Sequence, residues 1–185
     1  MASPQSTPPL SPRYTGTAIA LHWLLAVAIL SSLALGLYMT DLPLSPLRLK
    51  LYNWHKWAGI TILTLSALRL LWRLTHKPPP DVPMAVWQRR AAHAAHGALY
   101  VLFFTVPLAG WAYSSAAGFP VVVYGLWPLP DWVPVNRELA EGLKGLHRAL
   151  AYALGGLAAV HVGAALKHHF VDGDSLLKRM RPGRG

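Results

Sequence analysis

Four stretches of the chain are almost unbroken in apolar character, and polar residues gather between them. They run from about 17 to 39, 52 to 72, 96 to 115 and 147 to 166. Each is close to the ~20 residues that a helix needs to cross the hydrocarbon core of a bilayer. Lipid offers no partner to a backbone N–H or C=O, so a spanning segment must satisfy its own hydrogen bonds, as an α-helix does. The pattern predicts an all-α integral membrane protein, a four-helix bundle running up-down-up-down, with residues 17–170 as its transmembrane domain. Residues 1–16 form a tail before it and residues 171–185 a basic tail after it. Pro107 falls inside the third helix, where it removes a backbone donor and is expected to kink the axis.

Two features of the pattern have a second reading. Ala34-Leu35-Gly36 resembles a signal-peptide cleavage site, but the first apolar stretch is longer than a typical signal core and the segment Met1 to Ser11 carries no Lys or Arg. We expect this stretch to be retained as a helix. The segment from Gly118 to Pro134 holds Pro120, Pro128, Pro130 and Pro134 together with Trp127 and Trp132. Tryptophan favours the membrane boundary, so this is an interfacial loop, read as a connector in preference to a lid.

Composition strengthens the membrane reading. Only 13% of the residues are charged, about half the ordinary share for a soluble domain. The formal charge is +10, but the basic residues stand at the ends of apolar runs and not on one surface, which points to a bilayer and away from nucleic acid. Their distribution gives an orientation. Arg13, Arg69, Arg73, Lys77, Arg89, Arg90, Lys167, Lys178, Arg179, Arg181 and Arg184 share the side of the termini, 11 of the 17, against Arg48, Lys50, Lys56, Arg137, Lys144 and Arg148 opposite. Both termini are therefore expected in the cytoplasm, with the chain multi-pass in a plasma membrane. The absence of cysteine excludes disulfides, thiolate-held clusters and covalent haem attachment.

The seven acidic residues all lie outside the four stretches, whereas His22, His55, His93, His96, His147 and His161 lie within or at the edges of them. An ionisable group at such depth is costly and marks function by default. With no buried carboxylate to pair with, a metal is the natural partner, and neutral imidazole is a common haem ligand. His147 and His161 are 14 residues apart. On a helix that spacing returns to within ~40° of one face and separates the two by ~21 Å. One imidazole then lies near each leaflet, which suits two stacked haems. Depth matches His55 with His147 on the outer side and His22 with His161 on the inner side, although His96 has the same depth as His161 and is not excluded by depth. Small residues follow each of the four by one turn: Ala26, Gly59, Ala151 and Ala165. His93 is expected at the interface, His76 in a solvated loop, and His168 and His169 as anchors at the end of the fourth helix.

Together these residues resemble the bacterial cytochrome b561 family over nearly the whole chain. The resemblance is carried by Ala20-Leu21-His22-Trp23, His55 with Gly59, Arg69-Leu70-Leu71-Trp72-Arg73, the His93/His96 pair, His147, His161 and Ala164-Ala165-Leu166-Lys167-His168-His169. It implies a four-helix bundle enclosing two haem b groups, with His22 and His161 on the inner iron and His55 and His147 on the outer. It disfavours His96. It further implies an electron carrier of the respiratory chain linked to the quinone pool. Some small bacterial members act as superoxide:ubiquinone oxidoreductases, which makes His168 a candidate quinone contact.

Lys56 and Arg148 directly follow the two outer ligands. They are candidate partners of haem propionates or guides for an anionic donor such as superoxide, and equally a headgroup-level basic pair. Two other roles stand beside this one. The first is a cytochrome b subunit that anchors a periplasmic dehydrogenase or hydrogenase. The second is a haem-free, histidine-lined transporter or assembly protein.

Overall fold

The computed structural model describes residues 13–183. Four helices dominate: α1 (Gly16–Asp41), α2 (Pro46–Thr75), α3 (Val86–Ala116) and α4 (Arg137–Phe170). A two-strand hairpin, β1 (Val122–Val123) with β2 (Trp127–Pro128), separates α3 from α4, and a 3-10 turn over Leu177–Met180 follows α4. All four helices are long and apolar enough to cross a membrane, at 26, 30, 31 and 34 residues. Those lengths correspond to roughly 40–50 Å and exceed the ~30 Å hydrocarbon core. The helices therefore run past their apolar stretches into the more polar turns at 46–50 and 137–146. α3 continues through Pro107 as one helix.

Local chemistry sets the ends. Thr15 Oγ1 accepts from Ala18 N at 3.3 Å, Ser45 Oγ from Arg48 N at 3.3 Å and Asn136 Oδ1 from Leu139 N at 2.9 Å. Each satisfies a first-turn N–H that has no partner inside the helix. Pro46 occupies the first turn of α2, where its missing N–H costs nothing.

Consecutive helices pack side by side, α1 on α2, α2 on α3 and α3 on α4, whereas α1 and α4 barely touch. The shared core is small: Leu25 and Ile29 of α1, Ile62 of α2, Leu99 and Val106 of α3 and Leu154 of α4. Many large apolar residues are exposed instead, among them Leu24, Val27, Leu30, Val101, Tyr152, Val160 and Val162. Outward apolar side chains are stable where the surroundings are acyl chains, so this belt agrees with a membrane bundle.

Candidate functional site

α4 carries two histidines that meet partners on different helices. The ring of His147 lies 6.1 Å from that of His55 on α2, with the planes at 84°. The ring of His161 lies 6.2 Å from that of His22 on α1, with the planes at 63°. His96 of α3 also approaches His161, at 5.2 Å. His22, His55, His147 and His161 are all partly buried, and His96 is exposed. The separations have a chemical meaning. With a metal–nitrogen bond of about 2 Å, two imidazoles whose ring centres lie roughly 6 Å apart would leave room for one metal ion between them. The 6.1 and 6.2 Å pairs fit that span, and the 5.2 Å approach of His96 is shorter than it.

The His55–His147 pair is held by contacts that the sequence did not reveal. His147 Nδ1 donates to the Val106 carbonyl at 2.9 Å. A carbonyl only accepts, so Nδ1 carries the proton and Nε2 keeps its lone pair for a metal. Gly110 lies one turn beyond Val106, and a Cβ there would sit 2.9 Å from Cε1 of His147. Glycine thus opens α3 to the ring. α1 repeats the device. Ser32 Oγ is 3.3 Å from His55 Nδ1, and a Cβ at Gly36, one turn on, would sit 3.2 Å from His55 Cε1. Both imidazoles of this pair therefore turn Nδ1 toward a polar group and seat their edge over a glycine. Such outer contacts fix the orientation of a metal-binding imidazole. This donor set, four partly buried imidazoles in two facing pairs, fits haem iron.

The small residues one turn after the histidines have mixed surroundings. A Cβ at Gly59 would meet Pro107 at 3.9 Å, an ordinary contact, so this glycine lets α2 and α3 approach. Ala151 packs against the bundle core.

Lys56 reaches into the α3–α4 connection. Its ammonium donates to the carbonyls of Phe119 at 2.9 Å and Pro120 at 3.5 Å. The next residue, Trp57, donates Nε1 to the Val122 carbonyl at 2.7 Å, and Thr61 Oγ1 pairs with the Tyr124 hydroxyl at 2.8 Å. Tyr124 and Gly125 both adopt positive φ, 52° and 73°, to turn the hairpin. The proline-rich connection is thus a hairpin clamped on the turn of α2 that follows His55. Arg148 is exposed.

At the opposite end, His168 Nδ1 donates to Asp174 Oδ2 at 2.6 Å, and Asp172 Oδ2 is 3.2 Å away. Lys167 hydrogen-bonds both Asp172 oxygens, at 2.8 and 2.7 Å. This bond holds the Asp172 carboxyl below the usual carboxylate range. The chain after α4 folds back under the bundle. Met180 O accepts from Trp23 Nε1 at 2.8 Å, and Arg13 Nη2 reaches the carbonyls of Arg181 at 2.6 Å and Gly183 at 3.1 Å. Arg179 bonds the Pro80 carbonyl at 2.5 Å. The start of α1, the α2–α3 link and residues 171–183 thus share one face. There His93 pairs with Asp81 at 3.2 Å, and exposed His76 stacks on Trp72 at 3.7 Å.

Four spanning helices with facing histidine pairs at two levels define a membrane protein of the b-type cytochrome class. Residues 13–183 match the family model for prokaryotic cytochrome b561. Two relatives from Escherichia coli strain K12 are similar throughout. Cytochrome b561 homolog 2 is 36% identical over 170 residues, 91% of this chain and 90% of the relative. Cytochrome b561 homolog 1 is 35% identical over 175 residues, 93% of this chain and 98% of the relative. A Yersinia pestis protein named probable superoxide oxidase CybB is 31% identical over 179 residues, 92% of this chain and 96% of that protein. The chain belongs to the prokaryotic cytochrome b561 family, membrane-embedded electron-transfer proteins for which b-type haem is the implied cofactor.

Proposed function

We propose that this chain holds two b-type haems, one between His55 and His147 and one between His22 and His161, and passes electrons from a donor at the outer face to quinone at the inner face. The observation that carries this reading is the pair of 6.1 and 6.2 Å imidazole separations, made by residues 14 apart on one helix, so that one site lies near each leaflet. Haem, when bound, supplies a one-electron couple whose potential the axial imidazoles and nearby charges tune. The protein supplies the rest. The Val106 carbonyl and Ser32 orient the outer imidazoles.

The donor class we propose is superoxide, on two grounds: the name of the Yersinia pestis relative and the exposed cation Arg148, which would draw an anion toward the outer site. Lys56 anchors the hairpin and adds positive charge at the same level. On the inner face, the Asp174 carboxylate fixes the Nδ1 proton of His168 and leaves the Nε2 lone pair to accept from a quinol hydroxyl. The stoichiometry is two superoxide anions giving two O₂ and two electrons, while quinone takes two electrons and two protons to give quinol. The excess of Lys and Arg on the terminal face supports a bacterial inner-membrane location with both termini cytoplasmic.

Reduced-minus-oxidised spectra and a pyridine haem count on the purified chain test the reading. Two haems per chain are expected. Single Ala replacements of His22, His55, His147 and His161 should each lose haem, and His96→Ala should keep both. A colourless preparation made with ample porphyrin supply rejects it.

A further inference from the structure

Below the inner histidine pair lies a small cavity whose polar lining is one-sided in charge. Its volume is about 50 Å³, and Arg13, Arg69, Arg73 and Lys77 surround it together with Tyr100 of α3 and Ala18 of α1. No Asp or Glu lines it. Arg69 donates Nη1 to the Ala18 carbonyl at 3.0 Å. Ala18 lies one turn before His22, so this guanidinium is fixed within about one helical pitch, ~5.4 Å along the axis, of an inner histidine. Among the described residues, the side chains of Arg73 and Lys77 make no hydrogen bond or ion pair. Four cations gathered at the edge of a low-dielectric bundle repel one another, and an anion seated among them relieves that repulsion. Guanidinium groups suit an oxyanion because their N–H pairs match two oxygens at once.

We infer that this cavity seats the propionate carboxylates of the inner haem, with Arg69 and Arg73 as their ion partners and Tyr100 as a hydroxyl donor. The inference rests on the two-haem reading, which assigns nothing to these residues. Its basis is position: the cluster stands one turn beneath His22 and on the face where the inner group's polar edge must leave the acyl region. The cations also have an electronic effect. Positive charge beside the group favours its reduced form, so Arg69 and Arg73 raise the inner potential relative to the same site without them.

The test is a spectroelectrochemical titration and haem count of the full chain carrying Arg69→Gln or Arg73→Gln, with Arg73→Lys and Tyr100→Phe beside them. The inner component is assigned as the one absent from His22→Ala. Arg73→Gln has no known partner to lose in the fold, so it remains informative if Arg69→Gln does not accumulate. The expected result is a lower midpoint for the inner component alone, with the outer component unmoved and Arg73→Lys restoring most of the shift. Two haems at wild-type potentials in both Gln variants overturn the inference. So does loss of co-purified phospholipid phosphate from Arg73→Gln at unchanged potentials, which assigns the cavity to a lipid headgroup. A wild-type chain without haem sinks the two-haem reading itself, a result separable from both.

Discussion

A methyl group at Gly110 would lie 2.9 Å from Cε1 and 3.0 Å from Nδ1 of His147, closer than unbonded atoms normally approach. The imidazole would have to leave the Val106 carbonyl or α3 would have to move. Overpacking of this kind costs about 1–3 kcal/mol, and here it falls on the atom that sets the tautomer. Gly110→Ala is expected to fold, to lose part of its outer haem and to shift the potential of what remains, while the inner component is unchanged. Gly36→Ala, where the nearest ring atom is 3.2 Å away, should show the same pattern more weakly. Equal loss from both sites in a redox titration would show that these glycines serve general packing instead. The histidines were legible in the sequence because imidazole is rare among apolar residues and the 14-residue spacing is a helical repeat. The glycines were not. Their partners sit on other helices, small residues are common in membrane segments, and Gly36 falls in the Ala34-Leu35-Gly36 run whose local pattern resembles a cleavage site.

At the scale of elements, hydropathy located four helices because lipid imposes one secondary structure on a spanning segment. It could not locate their ends. In the headgroup zone a helix can continue with polar residues, and caps such as Ser45 and Asn136 stand well outside the apolar runs. The hairpin was harder still. Its strands hold two residues each, too few for a periodicity, and its stability comes from contacts with α2. Those contacts are specific enough to predict their removal. Trp57→Phe keeps the ring but deletes the hydrogen bond to the Val122 carbonyl, and Lys56→Gln shortens the reach to Phe119. Each net hydrogen bond is worth about 0.5–1.5 kcal/mol, so the double variant should release the hairpin without unfolding the bundle. Hydrogen exchange at Gly125 and Leu126, whose amides bond back to Val122 and Val123 at 3.2 and 3.0 Å, should speed up by roughly tenfold to a hundredfold, with helix protection retained. Unchanged exchange would show that the turn holds itself.

For the whole molecule, the bundle is closed at one end by its own chain. Of the last described residues, Arg179 docks through its own side chain, on the Pro80 carbonyl; the others offer their backbone. It is their carbonyls, at Met180, Arg181 and Gly183, that Trp23 and Arg13 grip. A carbonyl belongs to every residue and leaves no trace in a sequence, so the segment read only as a basic tail. Its docking reaches the His22–His161 end of the bundle, because Trp23 stands beside His22 at 5.4 Å and Asp174, which hydrogen-bonds His168, begins the same segment. Trp23→Phe keeps the aromatic edge against His22 and loses the bond to Met180. Combined with Arg13→Gln, it should loosen residues 176–183, so that tryptic cleavage at Lys178 and Arg179 runs at least several-fold faster than in the parent. Haem absorption should be unaltered, since none of the four histidines proposed as haem ligands is touched. Quinone reduction should fall through a higher KM at near-constant kcat if the segment shapes the inner site, because a loosened Asp174 positions His168 less often. Faster cleavage with unchanged KM would separate the two roles, leaving the segment as a fold staple with no part in quinone binding.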